Sequence, residues 1–400
     1  MPHTPVSPAT RSVLPTAVRL RRDIHRHPET GFREVRTAAL IAKTLRRLGY
    51  DVRTKVARTG VIGVLKGRRS GRTLMIRADM DALPVLEATR LPFASANRGV
   101  MHACGHDAHV AIALAAAALL ARERDRLMGQ VKFVFQPAEE GPGGAKPMIE
   151  QGALERPRVD AAVGLHLWND LPVGQMGIRS GALLAASDFF EVDILGRGGH
   201  GAAPHQTVDP VLMAARAVEA LQSIRSRYVD PLKPAVISVC RIAGGTANNS
   251  IPDSVRIAGT VRSFDPALRK QLPKLIEQVL RGVVGTAGGR FDLKYHFMYP
   301  PTINHPDWAK RLTAVATPLI GEKNIRPDVQ TLGGEDMSFF LQEVPGCFFF
   351  LGSADPKVGR GRPHHSGGFD PDERSIPLGI EMFRRITEGY LSPGGMNSSD

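Results

Sequence analysis

The residue types best suited to metal chemistry are concentrated in residues 102–109, which read His-Ala-Cys-Gly-His-Asp-Ala-His. Imidazole and thiolate are the ligands that borderline and soft divalent metals prefer. A Cys-x-His pair on a tight turn that contains glycine can direct both side chains at one ion. An isolated pair of this kind is more often a buried cysteine beside surface histidines, but here Asp107 adjoins it and an acidic pair follows along the chain. We therefore predict that Cys104 and His106 bind a metal.

The acidic pair is Glu139 and Glu140, which follow an apolar segment, Val131 to Phe135, with the character of a buried strand. Adjacent glutamates point in different directions, so one can bind a metal while the other faces a substrate. An unpaired charge at the end of a buried strand is costly, and a metal would compensate it. A carboxylate beside a metal-activated water is what amide hydrolysis needs as general base and proton shuttle. The pair therefore favours a hydrolytic metal site.

Three other polar segments give weaker signals when each is taken alone. His166 ends an apolar strand, where a histidine is more often a hydrogen-bonded core residue than a ligand. His364 and His365 stand together in a polar loop, and either imidazole could bind a metal. Asp79 also ends an apolar strand, and it could orient a metal ligand by a hydrogen bond without binding the metal itself. Their combination with the two stronger motifs makes them candidates.

Possible substrate-binding residues follow in the next part of the chain. They are His200 within a glycine-rich segment, Asn248 beside a second asparagine, and Arg262 on a predicted strand. Such side chains could bind a carboxylate or stabilise an oxyanion. Each of them could equally be an ordinary turn or surface residue.

The order of predicted elements indicates how these residues are positioned. In the first part of the chain, strands alternate with helices, which predicts an α/β fold with a mostly parallel sheet flanked by helices. Residues 187–297 then read β-α-β-β-α-β, a ferredoxin-like arrangement that can form a domain of its own. After residue 297, the pattern of strands and helices seen in the first part of the chain resumes. We predict a discontinuous catalytic domain, residues 1–186 and 298–400, with an inserted lid or dimerisation domain at 187–297.

Composition and charge argue against a nucleic-acid-binding, membrane-spanning or disulfide-rich protein. The chain has 400 residues and a net charge of +13, which would attract anionic substrates, but its arginines are scattered and form no nucleic-acid-binding stripe. The most apolar stretch, Val110 to Ala121, is too short to cross a bilayer. The cysteines are too few for a disulfide framework, and residues 1–15 lack the apolar run of a signal peptide. We expect a cytoplasmic protein that binds neither membrane nor nucleic acid.

Taken together and in this order, the motifs resemble those of the aminoacylase and carboxypeptidase-type metallopeptidase superfamily. The similar branch contains hippurate hydrolases, bacterial N-acyl-amino-acid amidohydrolases and plant auxin-conjugate hydrolases. The resemblance covers about Arg21 to Tyr390, nearly the whole chain. Its motifs lie at residues 23–29, 77–84, 102–107, 136–140, 164–166, 198–200, 333–336 and 365–366.

The resemblance implies two divalent metal ions per subunit, which could be zinc, manganese, cobalt or nickel. Cys104 would bridge them, His106 and His166 would complete one coordination shell, and Glu140 and His365 the other. Glu139 would be the general base, and Asp79 would be the aspartate that orients a metal ligand by a hydrogen bond. Distant members have His-x-Asp where this chain has Arg77-Ala78-Asp79, so that histidine ligand is missing and the branch uses His106 instead.

The same resemblance assigns roles in the inserted domain and a reaction. His200 would reach the site of a neighbouring subunit and stabilise the tetrahedral intermediate, which implies a homodimer or a higher homo-oligomer. Asn248 and Arg262 would hold the substrate carboxylate. The implied reaction is hydrolysis of the amide bond of an N-acyl amino acid, such as hippurate, to a carboxylic acid and an amino acid.

Other functions remain open at this point. One is a metal-dependent dipeptidase or carboxypeptidase of the same fold. Another is a thiol amidase with Cys104 as nucleophile and a nearby histidine as base, which leaves Glu139, Glu140 and His365 without a role. The last is a binding protein that retains the metals without turnover. Glu139 argues against it, because a binder needs no proton shuttle.

Overall fold

The structure, a computed structural model, describes residues 6–355, 357 and 361–392. Internal contacts divide the chain into two units. The first contains residues up to 183, residues 303–329 and residues from 339 onward, and the second contains residues 184–302 and 330–338. Each unit has its own apolar core, as expected because single cores rarely serve more than about 250–300 residues.

The described part of the chain contains helices and strands with the following bounds. The helices are α1 (Pro8–Arg26), α2 (Val35–Arg47), α3 (His106–Arg122), α4 (Ala145–Glu150), α5 (Pro210–Ser223), α6 (Pro266–Thr286), α7 (Pro306–Ile320), α8 (Met337–Glu343) and α9 (Ile376–Tyr390). The strands are β1 (Asp51–Val56), β2 (Gly60–Lys66), β3 (Arg69–Asp79), β4 (Met128–Gln136), β5 (Ala161–Pro172), β6 (Met176–Gly177), β7 (Gly181–Leu184), β8 (Ala186–Leu195), β9 (Gly199–His200), β10 (Ala235–Ala243), β11 (Ser250–Ile251), β12 (Ser254–Ser263), β13 (Arg290–Tyr299), β14 (Thr302–Asn304) and β15 (Gly346–Ala354).

A seven-stranded sheet with the order β1-β2-β4-β3-β5-β15-β6 forms the centre of the first unit. Strands β4, β3, β5 and β15 are parallel to their neighbours in this group, whereas β1, β2 and β6 pair antiparallel at the edges. Every residue of β15 is buried, as is typical of parallel strands covered on both faces. The predicted α/β class is confirmed, with the parallel part at the centre of the sheet.

Helix α3 is the buried helix of the first unit and contains the apolar stretch identified in the sequence. Nearly all of its residues are buried, and it packs between α1 and α9. A helix that is apolar on all sides belongs in a protein interior of this kind. In the part of the chain that the structure describes, no helix is both long enough and apolar enough to span a membrane.

The second unit is built on a four-stranded antiparallel sheet with the order β10-β12-β8-β13. With α5 and α6, these strands follow the β-α-β-β-α-β order that the sequence predicts. Asp209 and Asp265 cap α5 and α6, each accepting two backbone N–H bonds ahead of a proline in the first turn. Every fourth residue of α6 from Leu268 to Val284 is buried, which gives the helix one apolar face for the sheet.

The second unit also contains residues 330–338, although the sequence predicts that they belong to the catalytic domain. Backbone hydrogen bonds explain this position. The amide of Ala185 donates to the carbonyls of Thr331 and Gly333 at 3.2 and 3.1 Å, and the Thr302 hydroxyl donates to the Glu335 carbonyl at 3.3 Å. A late segment of the chain therefore returns to Ala185, the residue just before β8, and periodicity does not reveal this contact.

Candidate metal centre

The polar side chains singled out in the first unit meet at the carboxyl ends of its parallel strands. Asp79 is the last residue of β3, Glu139 lies three residues beyond β4, and His166 lies in β5. His364 follows β15 in the chain. Ligand sites in open α/β sheets form at this edge, because the loops that leave parallel strands meet there. Cys104 and His106 reach the same place from the N-terminus of α3.

Cys104 is common to two groups of potential ligands. Its sulfur lies within one group with His106 and Glu140 and within another with His166 and His364. The Sγ atom is 3.4 Å from His166 Nε2 and 3.7 Å from His364 Nδ1. Burial raises the pKa of the Cys104 thiol well above its usual range, and the charges of Glu140 and Glu139 raise it further. A thiolate here therefore requires a nearby cation.

His106 presents one ring nitrogen to this space. Its Nδ1 is 3.3 Å from Asp81 Oδ1, while the buried Nε2 has no hydrogen-bond partner among the described residues. Nε2 lies 3.8 Å from Asp79 Oδ2 and 3.9 Å from Glu140 Oε1. Burial opposes protonation, but the surrounding carboxylates prevail and raise the pKa of His106 to about 10. The pocket thus favours positive charge beside an unsatisfied nitrogen, and a metal ion fits both requirements.

His166 is oriented in the same manner. Its Nδ1 lies 2.6 Å from the carbonyl oxygen of Leu167 and donates to it, because a carbonyl can only accept. The proton of the neutral ring is then on Nδ1, and the Nε2 lone pair points toward Cys104. Burial lowers the pKa of His166 well below its usual value, with a smaller contribution from His109. A neutral imidazole held by its other nitrogen is the usual form of a histidine ligand.

Glu140 and His365 face each other at the open side of the group. His365 Nε2 is 3.2 Å from Glu140 Oε1, and 54% of the His365 side chain is exposed. This bond raises the pKa of His365. At Glu140, burial acts in the opposite direction, but the bond from His365 prevails and lowers the pKa of the carboxyl group. Both groups can turn toward a cation placed between them and Cys104.

Asp79 hydrogen-bonds to His109 and Arg77 and also lies near His106. Its carboxylate accepts from His109 Nδ1 at 2.6 Å and from Arg77 Nη1 at 2.6 Å. His109 Nε2 in turn accepts the backbone N–H of Leu167 at 2.9 Å. Both nitrogens of His109 are therefore engaged, and Asp79 acts through His109 on the strand that carries His166. Arg77 supplies a positive charge to the same buried carboxylate.

Two buried carboxylates for which the sequence predicts no role also contact the site. Asp81 accepts the backbone N–H of Glu139 at 3.0 Å and that of Glu140 at 3.1 Å, in addition to its contact with His106. Glu34 accepts the N–H of Ala138 at 2.9 Å, where the backbone has a positive φ of 54°. The second aspartate of the Asp79-Met80-Asp81 sequence was a visible signal, whereas nothing in the local sequence distinguishes Glu34.

The predicted catalytic residue His200 and the predicted substrate-binding residues Asn248 and Arg262 belong to the second unit. Strand β9 pairs with β11, which aligns His200 with Ser250, and Asn248 lies two residues before Ser250 in the turn that precedes β11. The N–H of Ala202 donates to His200 Nδ1 at 3.0 Å, so the neutral ring carries its proton on Nε2. Arg262 is partly buried and donates to the carbonyls of Asp188 and Val261 at 3.2 and 3.1 Å. His200 and Asn248 are exposed.

Comparison with known proteins identifies the chain. Residues 75–389 match the family profile described as Peptidase family M20/M25/M40. The chain belongs to this family. It is similar to Thermostable carboxypeptidase 1 of Saccharolobus solfataricus, with 40% identity over 373 residues, 92% of this chain and 94% of the relative. It is also similar to the N-acyl-L-amino acid amidohydrolase of Geobacillus stearothermophilus, with 44% identity over 288 residues, 72% of this chain and 77% of the relative.

A solved structure agrees with this assignment to the M20/M25/M40 family. The Bacillus subtilis YXEP protein, described as a dinuclear metal binding peptidase from the M20 family, superimposes with a TM-score of 0.84 at 34% identity. The match covers 95% of this chain and 99% of that protein. The superfamily resemblance predicted from the motifs is confirmed. As a member of a peptidase family, the chain is a hydrolase that acts on amide bonds.

Proposed function

We propose that this chain is a two-metal amidohydrolase that cleaves N-acyl amino acids into a carboxylic acid and an amino acid. The observation that carries the proposal is the position of Cys104. Its sulfur is shared by two groups of potential ligands, and Nε2 of His106 and Nε2 of His166 are directed at the same space. A shared thiolate between two ligand groups suits a pair of ions better than a single one.

The proposed ligand sets follow the family resemblance and differ from these two groups, which place His106 with Glu140 and His166 with His364. His106 and His166 would complete the shell of one ion, and Glu140 and His365 that of the other. Sulfur, imidazole and carboxylate together suit zinc, manganese, cobalt or nickel. When bound, the two ions would lower the pKa of a water molecule and polarise the amide carbonyl.

Glu139 is the proposed general base. It lies beside the ligand Glu140, and Asp81 fixes the backbone of both residues through their amides. Its carboxylate would remove a proton from the attacking water and then deliver this proton to the nitrogen of the departing amine. The bond that breaks is the amide C–N bond, and the products are a carboxylic acid and a free amine.

The second unit would contribute in a homodimer or a larger homo-oligomer. The Nε2–H of His200 would donate to the oxyanion in the site of a neighbouring subunit. Asn248 and Arg262 would hold the substrate carboxylate. The net charge of +13 favours such anionic substrates. We also propose a cytoplasmic location, where free Cys104, Cys240 and Cys347 would remain reduced.

A carboxypeptidase or dipeptidase activity is the second candidate, because a relative named as a carboxypeptidase is 40% identical over 92% of the chain. Both substrate classes carry an amide bond and a free carboxylate. They differ in the acyl side, which is a simple acid in one case and a peptide in the other.

The thiol amidase is less well supported. Burial and the neighbouring carboxylates keep the pKa of Cys104 well above its usual value. Such a thiol is a poor nucleophile without a cation.

The deciding experiment compares N-acyl amino acids, including hippurate, with N-blocked dipeptides. Each substrate is assayed before chelation, after chelation and after addition of a single divalent metal. We expect the chelator to abolish hydrolysis, a divalent ion to restore it, and kcat/KM to be highest for N-acyl amino acids. A preference for dipeptides would favour the carboxypeptidase. Activity that survives chelation and is lost to iodoacetamide would favour the thiol amidase, and bound metals without turnover would favour the binding protein.

A further inference from the structure

His364 lies against the sulfur of Cys104 but is held differently from the proposed ligands. The backbone N–H of Asn169 donates to His364 Nε2 at 3.1 Å, and His364 Nδ1 lies 3.7 Å from Cys104 Sγ. The ring stacks on Trp168 with centroids 4.9 Å apart and an interplanar angle of 29°. The imidazole is therefore fixed by its face and by both nitrogens.

The direction of the Asn169 bond determines which nitrogen of His364 carries the proton. A backbone N–H can only donate, so Nε2 must be the unprotonated, accepting nitrogen. The proton of the ring is then on Nδ1, which faces the sulfur. In His166 and His106 the arrangement is reversed, because each has its Nδ1 beside an acceptor oxygen and its Nε2 directed at the candidate site.

Asn169, whose backbone N–H donates to His364, is itself held in place by side-chain hydrogen bonds. The side-chain amide of Asn169 donates to the carbonyl of Arg362 at 3.0 Å, and its oxygen accepts the hydroxyl of Ser353 at 2.6 Å. Arg362 precedes His364 by two residues, so Asn169 fixes both the loop and the ring that it carries. A ring held in this way cannot readily turn its Nε2 toward a metal.

We propose that His364 is a positioning residue that donates its Nδ1–H to the Cys104 sulfur and is not a metal ligand. The proposal rests on the proposed function, since it takes Cys104 to be the shared ligand. The adjacent histidines then have separate tasks: His365 binds the metal together with Glu140, and His364 fixes the sulfur. A hydrogen bond to a thiolate withdraws electron density from it and orients its lone pairs, which changes the properties of any ion bound there.

Two variants distinguish the effect of the Nδ1–H donor from the effect of the aromatic ring. His364→Phe keeps a ring that can stack on Trp168 but removes the donor. His364→Asn loses the ring but can place an amide N–H near the position of Nδ1. Trp168→Phe is the control, because it alters the stacking partner and leaves the N–H···S contact in place.

The probe is Co²⁺, added to metal-free protein. The number of ions per chain, the affinity in competition with a chelator and the sulfur-to-cobalt charge-transfer band are measured. We expect His364→Phe to bind two ions per chain with an affinity weaker by about 10-fold, the lower end of the effect of removing a group that supports a ligand. Its band should move to lower energy, because the sulfur lone pairs are no longer stabilised by a donor. His364→Asn should restore part of both properties, and Trp168→Phe should resemble the wild type.

Other results would overturn the proposal in distinguishable ways. Loss of one Co²⁺ per chain in His364→Phe would make His364 a ligand. An unchanged band and affinity in both His364 variants would mean that the hydrogen bond has no influence on the site. Absence of the sulfur-to-cobalt charge-transfer band from the wild type would instead show that Cys104 is not a ligand. The two-metal proposal itself would then be wrong, because it takes Cys104 to be the shared ligand.

Discussion

At the scale of single residues, the site depends on which nitrogen of each histidine is free. The motifs were sufficient to nominate Cys104, His106, Glu139 and Glu140, because clustered soft and acidic ligands are rare in an apolar setting. They could not assign the task of each imidazole. That task follows from a carbonyl at Leu167 or a backbone N–H at Asn169, and such groups are brought near only by the folded chain.

The role of Glu139 leads to a prediction about turnover. Glu139→Gln should bind two metals as the wild type does, while kcat falls by about 10²- to 10⁴-fold, because the amide cannot accept the proton of the attacking water. Steady-state kinetics combined with metal analysis of the same sample would test this. Glu140→Gln is the matched control and should lower the metal content instead. Turnover near the wild-type value in Glu139→Gln would exclude it as the general base.

A second prediction concerns Asp81, which receives the amides of both glutamates and contacts His106. Asp81→Asn replaces one accepting oxygen with a donor, so we expect metal affinity to weaken by about 10- to 100-fold. Titration of metal-free protein with Co²⁺ in a competing chelator would measure the change. Asp193→Asn, the same change in an exposed ion pair with Arg256, should leave the affinity unaltered. Wild-type affinity in Asp81→Asn would show that this carboxylate does not orient the ligands.

At the scale of elements, the sequence was most informative where burial is periodic or continuous. The apolar character of α3 and the two capped helices of the inserted region could be recognised directly. The sequence does not predict strand β1, because most of its residues are exposed and show no apolar alternation. The boundaries of the insertion at 187 and 297 could be approximated from the change in pattern, but the return of residues 330–338 depends on backbone bonds to Ala185.

An element-scale prediction concerns the attachment of α1 to α9. The Glu381 carboxylate accepts the hydroxyl of Ser7 at 2.9 Å and that of Thr10, at the start of α1. Burial opposes ionisation, but bonds from Thr10, Arg385 and Ser7 prevail and lower the pKa of Glu381 to about 2. Because this value lies below the ordinary 4.5, the stabilisation is complete above about pH 4.5 and disappears as the pH falls through about 2.

Glu381→Gln should therefore lower the free energy of unfolding at pH 7 by about 1–3 kcal/mol, the usual effect of weakening hydrogen bonds to a buried charge. The difference from the wild type should shrink between pH 4.5 and 2. Urea unfolding of metal-free protein at several pH values would measure it. Glu277→Gln, in an exposed pair on α6, serves as a control with little expected change. A difference independent of pH would show that the charge of Glu381 is not what stabilises the helix pair.

At the scale of the whole molecule, the proposed reaction requires residues from two subunits. If His200 acts in the site of a neighbour, Glu139→Gln and His200→Ala are each inactive for different reasons. Mixing them allows dimers in which one site combines an intact Glu139 with an intact His200. Random exchange makes half of the dimers mixed, and each has one working site of two, so about one quarter of wild-type activity should return.

The exchange experiment uses equal amounts of the two variants, dissociated and reassembled together, with each variant treated alone as the control. Size-exclusion chromatography establishes that the wild type forms an oligomer. No recovery of activity in a reassembled mixture would place His200 in the site of its own subunit, whereas wild-type activity of His200→Ala alone would place it outside the reaction.

One further consequence follows from the three contacts of Asp81. The same carboxylate adjoins a proposed metal ligand, His106, and holds the backbone of the proposed base, Glu139. An ion of larger radius that displaces His106 would therefore shift Glu139 as well. Exchanging one metal for another would alter the distance over which the proton moves in addition to the strength of binding. Metal preference and the rate of proton transfer would then change together, because both depend on the position of Asp81.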